Sequence, residues 1–221
     1  MPEPRRGRPP TLSADRIAEA AKDRLAAGGL AALSMRALAK DLGTSPMALY
    51  RHVDDKEHLL DLVLDRYSTG LAELVLPEDP VARIRTIFVA IFDTITAETW
   101  LVELLQHGGR GGSGAIVLVE RAIVAGQDLG MDLRRSLLFY RALWNYTLGA
   151  LLNIPAPNPT GEVSPLTAKI REAGAQRLPA LNAITANWPM GTTRDTYLDG
   201  LDALIAGYCR AFGANADEVS R

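Results

Sequence analysis

The pattern that most limits this chain is helical: apolar residues recur every three or four positions along most of its length, and no stretch alternates convincingly as a half-buried strand would. A chain so patterned buries its apolar faces by packing helix on helix, so the expected fold class is all-α. Ser13 is placed to cap a first helix that runs to about Ala27 and is ended by Gly28 and Gly29, with Ile17, Ala20, Ala21 and Leu25 on one face. Short helices are predicted over 35–42 and 45–52, the first capped by Ser34 and stopped by Gly43, the second tolerating Pro46 in its first turn. Asp54 followed by Glu57 reads as a capping box for a fourth helix toward Leu76, with Asp55 as the competing cap. A fifth helix from Pro80 is apolar over a wide arc (Ile84, Ile87, Phe88, Ile91, Phe92), so both of its sides are expected to be covered. Further helices are expected over 100–106, 115–129, 132–152, 165–175, 177–186 and 193–212.

Composition narrows the class further. Of 221 residues, 48% are hydrophobic and 23% charged, enough for a substantial core with disorder expected only at the ends. The net charge of −2 does not advertise a polyanionic partner. Its distribution says more: residues 1–58 hold ten Lys and Arg against eight Asp and Glu, and the remainder 14 against 18. Arg5, Arg6 and Arg8 form a short basic arm over residues 1–10 that suits phosphate or minor-groove contact, although a solvated tail is the plainer reading. The single cysteine, Cys209, allows no intrachain disulfide and fits a reducing compartment. No secretory signal is apparent. The longest apolar run, 143–154, is shorter than the roughly 18 residues that span a bilayer and carries Asn145 and Asn153. A cytoplasmic location without membrane contact is therefore expected.

Residues 34–56 carry the sharpest signal. Two short amphipathic helices meet at a tight turn at Gly43, with Leu38, Ala39, Leu42, Leu49 and Val53 spaced to pack inward and Ala39 small enough for a close crossing. That is the build of a helix-turn-helix. Its second helix turns Ser45, Met47, Ala48, Tyr50, Arg51 and His52 outward, side chains suited to base edges, thymine methyls and phosphates in a major groove. The run Leu42-Gly43, Leu49-Tyr50, His52-Val53 and Lys56, with Gly28-Gly29-Leu30, Ser34-Met35-Arg36 and Ala39 upstream, resembles the DNA-binding domain of the TetR/AcrR repressors over about residues 9–65.

The resemblance implies a helix-turn-helix domain over 11–58 and an effector-binding and dimerisation domain over 59–215. It implies a homodimer on double-stranded operator DNA, a small-molecule effector of unknown identity, no catalytic role and no cofactor. Arg36 resembles the base or phosphate contact of the second helix. Ser45, Pro46, Met47 and Ala48 occupy the groove-facing end of the recognition helix. Tyr50 and His52 resemble the phosphate-positioning pair, and Lys56 a phosphate contact at the start of the fourth helix. Arg51 holds a variable outward position, and Thr44 a place near the DNA backbone. The later run Thr147-Leu148-Gly149 followed by Leu152 resembles the regulatory domain of the tetracycline repressors. Ala72 stands where those proteins carry a drug-binding histidine, and His107 is about one residue out of register with their magnesium-linked one. Tetracycline–magnesium binding is therefore not implied.

Other constellations have plainer readings. The run Gly109-Arg110-Gly111-Gly112-Ser113-Gly114 formally matches a dinucleotide fingerprint, but no strand precedes it, and it reads as a flexible interhelical loop. The three histidines and one cysteine show no metal-ligand spacing. Trp100, Tyr140, Trp144, Tyr146, Trp188 and Met190 are individually core or interface residues by default. As a group they suit a cavity for a flat or amphipathic molecule, bounded by Phe92, Trp100, His107, Trp144 and Asn145. Two near-heptad rows, Leu133, Leu137, Tyr140, Trp144, Leu148 and Leu151, and Tyr197, Leu201, Leu204, Ile205, Tyr208 and Phe212, suit a four-helix dimer interface, part of each row packing within its own chain.

Overall fold

The computed structural model describes residues 12–98, 100–106, 112–154, 163–187 and 191–213. The basic arm, His107, Trp188 and Met190 lie outside them. Every regular element among the described residues is an α-helix: α1 (Ala14–Ala32), α2 (Met35–Asp41), α3 (Pro46–Leu49), α4 (Lys56–Ala72), α5 (Pro80–Ala97), α6 (Trp100–Gln106), α7 (Ser113–Asp128), α8 (Leu133–Leu152), α9 (Pro165–Ala173), α10 (Pro179–Asn187) and α11 (Arg194–Phe212). None of them is long and apolar enough to cross a membrane.

The chain forms two compact units: 1–75 with 94–120, and 76–93 with 121–221. The division by packing is not a cut at residue 58. The helix-turn-helix, α4, α6 and the start of α7 belong to one unit, and α5 contributes to both.

In the first unit α1 is anchored by Ile17, Ala18, Ala21 and Leu25, all buried. The expected stop at Gly28 and Gly29 is a kink: both leave helical geometry, Gly29 at φ 64, and one further turn carries the chain to Ala32. Gly29 at ψ −165 occupies a region open essentially to glycine alone. Arg24 ties α1 to α2 through a paired contact with Asp41, one arm of which measures 3.0 Å, and donates to the Ala32 carbonyl at 3.0 Å.

Two small glycines shape the other side of this unit. A Cβ on Gly112 would meet the Asp65 backbone of α4 at 2.6 Å, and one on Gly114 would overlap the Ser68 carbonyl and lie 2.8 Å from the Thr69 nitrogen. The Asp65 carboxylate accepts from the Ser113 backbone N–H, so α7 begins directly against α4. The expectation of a flexible loop therefore fails at Gly112–Gly114, where the glycines serve close helix approach; 108–111 lie outside the described residues.

The second unit is centred on Tyr197 of α11, fully buried and stacked between Phe92 of α5, 3.9 Å between centroids, and Tyr146 of α8, 5.5 Å away. Its hydroxyl donates to the Phe88 carbonyl at 3.1 Å and lies 3.0 Å from the Thr147 hydroxyl, leaving this buried polar group satisfied. Burial pushes the Tyr197 phenol up to about 12, with the Thr147 hydrogen bond opposing the shift. Phe139, Leu143, Thr147 and Ala150 of α8 and Leu201 and Ile205 of α11 complete the core.

Candidate nucleic-acid interface

The helix-turn-helix is built by caps and a small core. Ser34 caps α2, accepting from the Ala37 N–H at 3.2 Å. Gly43 then adopts φ 63, a left-handed conformation that glycine takes without Cβ strain, and the Thr44 N–H closes the turn on the Ala39 carbonyl at 2.9 Å. Beneath the turn Leu38, Ala39, Leu49 and Val53 are all at most 1% exposed, and Leu42 is half-buried at its edge. Truncating any of these leucines to alanine costs about 2–5 kcal/mol in a packed core, so the two short helices hold their angle through burial, not length.

Two sequence expectations are corrected here. The recognition helix is one turn, Pro46–Leu49, and residues 50–52 continue it only as a turn, closed by the His52 N–H on the Leu49 carbonyl at 2.9 Å. Asp55, not Asp54, caps α4, accepting from the His58 N–H at 2.7 Å. Asp54 lies one residue upstream of the cap, and its backbone N–H donates to His58 Nδ1 at 3.2 Å.

The residues expected to contact DNA lie between Arg36 and Lys56 and differ in exposure. Arg36 is exposed on the first turn of α2. Met47 is 72% exposed, an unusual placement for a large apolar side chain, and Tyr50 is 45% exposed. Pro46, Arg51 and His52 are exposed, Thr44 and Ala48 half-buried. Ser45 is exposed but already employed: its hydroxyl caps α3 by accepting from the Ala48 N–H at 3.3 Å. Lys56 is the first residue of α4, and its ammonium donates to the Leu30 carbonyl at 3.3 Å.

The five residues expected to bound a ligand cavity do not share one compact unit. Phe92, Trp144 and Asn145 lie in the second, Trp100 in the first, and His107 outside the described residues. Phe92 is buried on Tyr197, Trp144 is half-buried and Asn145 is exposed. Trp100 donates its indole N–H to Glu98 at 3.0 Å, and the Tyr67 hydroxyl donates to the other oxygen of the same carboxylate at 3.0 Å. The two rings meet edge-on, 5.5 Å between centroids. Burial first, and the Glu98 contact second, push the Tyr67 phenol well above its ordinary range. Sequence spacing holds no sign of this carboxylate between two aromatic donors. Among the described residues no group of three or more His, Cys, Asp or Glu is placed to hold a metal ion.

Comparison with known proteins agrees with this geometry. Residues 17–63 match the family described as bacterial regulatory proteins, tetR family. A stretch of 63 residues is 56% identical to the HTH-type transcriptional repressor DrrR1 of Streptomyces coeruleorubidus, covering 28% of this chain and 23% of that protein. A second relative, an HTH-type transcriptional regulator of Saccharopolyspora erythraea, is 29% identical over 154 residues, 68% of this chain and 64% of its own length. The chain thus spans less than two thirds of either relative. In fold it is similar to the Streptomyces coelicolor TetR family protein ActR, solved in complex with actinorhodin: TM-score 0.76 at 23% identity, covering 93% of this chain and 99% of that one. With the capped helix-turn-helix and its exposed recognition turn, these matches show a TetR-family DNA-binding region over residues 17–63, in a chain whose fold is that of solved TetR-family proteins.

Proposed function

We propose that the chain is a repressor that binds a palindromic operator as a homodimer and is released by a small-molecule inducer. The observation that carries the DNA part is the recognition turn itself. It is fixed by two serine caps and a buried leucine core, yet presents Met47, Tyr50, Arg51 and His52 to solvent. Met47 and Ala48 read base edges in this proposal, together with Pro46 and Arg51. Arg36, Thr44, Tyr50, His52 and Lys56 position the domain on phosphates, and Ser45 acts by holding the helix end. Tyr50→Ala is expected to weaken binding to all duplexes alike and to flatten the fall of affinity with salt. Met47→Ala should instead change which duplex is preferred. Titration of a labelled operator and of a scrambled duplex across a salt series separates the two, and a Tyr50→Ala variant that lost only one sequence would contradict the assignment.

The dimer reading is supported by what the two rows bury. Inward positions of α8 and α11 are taken by the chain's own core, whereas Leu133 is 63% and Leu137 42% exposed on the flank of α8 beside it. Leu148 and Trp144 continue that row, half-buried, and Leu204, Tyr208 and Phe212 edge α11. An apolar row of this length on a water-facing helix suits its own copy across a two-fold axis.

The ligand reading rests on the ring-rich second unit and on the fold shared with ActR, itself solved with actinorhodin. We assign the inducer to a flat or amphipathic class, with Phe92, Trp144 and Asn145 of the second unit as candidate contacts. Operator and inducer would then oppose each other through one coupling energy, typically about 1–3 kcal/mol. An inducer that quenches tryptophan fluorescence is expected to lose most of that quenching in Trp144→Phe, with ligand-free operator affinity unchanged. Full quenching in Trp144→Phe would move the site elsewhere.

A further inference from the structure

One residue in the first unit is held at both of its backbone polar groups. The Leu30 N–H donates to a carboxylate oxygen of Glu103, on α6, at 3.3 Å, and the Leu30 carbonyl accepts from the Lys56 ammonium, on the first residue of α4, at 3.3 Å. Leu30 follows directly on the kink at Gly28 and Gly29, and the single turn after it leads into Ser34, the cap of α2. The approach of Glu103 depends on that kink: a Cβ on Gly29 would lie 3.1 Å from the same carboxylate oxygen that accepts from Leu30. Three helices therefore converge on the backbone of one residue: α1 supplies it, α4 holds its oxygen and α6 holds its nitrogen.

We propose that Glu103 is a positioning residue for DNA binding, fixing the backbone of Leu30 so that its carbonyl seats the Lys56 ammonium at the DNA-facing start of α4. The inference rests on the DNA-binding reading above and extends it to a residue far outside the matched 17–63 segment. The physics is that of a fixed backbone: with its N–H held by a carboxylate, Leu30 keeps its carbonyl oxygen where it accepts from the Lys56 ammonium. A lysine whose flexible stem is held at one donor has less rotamer freedom to lose when a phosphate takes another. Glu103 itself is exposed and, as a carboxylate, would repel a nearby phosphate, so its contribution must run through the Leu30 backbone and not through direct contact.

The test uses the full chain and an operator selected from random duplexes, with dissociation constants read by anisotropy at fixed salt. Glu103→Gln keeps an acceptor in place and should bind within twofold of wild type. Glu103→Asp keeps the charge but falls a methylene short. It and Glu103→Ala should each lose about five- to tenfold, the low end for a hydrogen bond to a charged group because the site is exposed. In the Lys56→Ala background, Glu103→Ala should cost less than twofold, because the cation through which it acts is gone. The proposal is overturned if Glu103→Ala and Glu103→Asp bind as wild type does, or if their losses multiply in full with that of Lys56→Ala. If Glu103→Ala fails to fold, Glu103→Asp alone decides by the same two criteria. A wild-type chain that selects no duplex overturns the DNA-binding reading itself; one that binds normally while these variants behave as wild type overturns only the role of Glu103.

Discussion

Gly114→Ala is expected to destabilise the first unit by about 3 kcal/mol, the upper range for overpacking a closed contact. In an open helix the same change gains about 1 kcal/mol through propensity, so the sign depends on space. At Gly114 there is none: the new methyl would overlap the Ser68 carbonyl and lie 2.8 Å from the Thr69 nitrogen, backbone atoms of α4 that have no rotamer to change. Gly70, near the end of the same α4, has nothing within 4 Å of its would-be Cβ, so Gly70→Ala should hold or raise stability. Thermal unfolding of the two variants side by side checks the point. Loss of a few kcal/mol corresponds to a fall of roughly 6–12 °C in a chain of this size. Equal midpoints would mean that α7 does not press on α4 as the structure shows.

Leu137→Glu is expected to give a folded monomer with operator affinity reduced about 10²- to 10⁴-fold, the gain normally supplied by linking two half-site contacts. The position is chosen by exposure. Leu137 is 42% exposed, so a carboxylate there meets water in the isolated chain, whereas across a two-fold axis two such charges would face an apolar partner. Leu201 and Ile205 would be poor probes, since both lie in the chain's own core. Sedimentation at micromolar concentration reads the result. A Leu137→Glu chain that remains dimeric would place the interface on another face, and one that unfolds would show that the row belongs to the core.

What the sequence made legible was local. Ser13 and Ser34 announce helix starts because each caps a backbone N–H three residues on, a contact independent of the rest of the fold. Gly43 announces the turn through its left-handed φ of 63. The same locality failed narrowly at α4, where Asp54 and Asp55 offer similar caps and only the backbone decides for Asp55, at φ −157. The distant contacts were not legible. Gly112 and Gly114 look like a linker because nothing in their neighbourhood names Asp65 and Ser68 as the atoms they approach; their small-x-small spacing was the one available hint. Tyr197 shares its helical period with residues at the edge of α11, so spacing alone could not tell the stacked core from an interface row. The role of Glu103 could not be read from spacing, because its partner is the backbone of Leu30, and a backbone group leaves no mark in a sequence.

The central claim is that two copies of the recognition turn read two half-sites of one duplex. Selection of bound fragments from a pool of random duplexes by the wild-type chain tests it most directly. The account predicts an enriched inverted repeat whose half-site centres lie one helical turn apart, about 34–36 Å, or a multiple of that spacing. It also predicts that selection with Met47→Ala changes bases within each half-site while leaving the spacing alone. A pool that stays random, or a single asymmetric site bound by one chain, would contradict it.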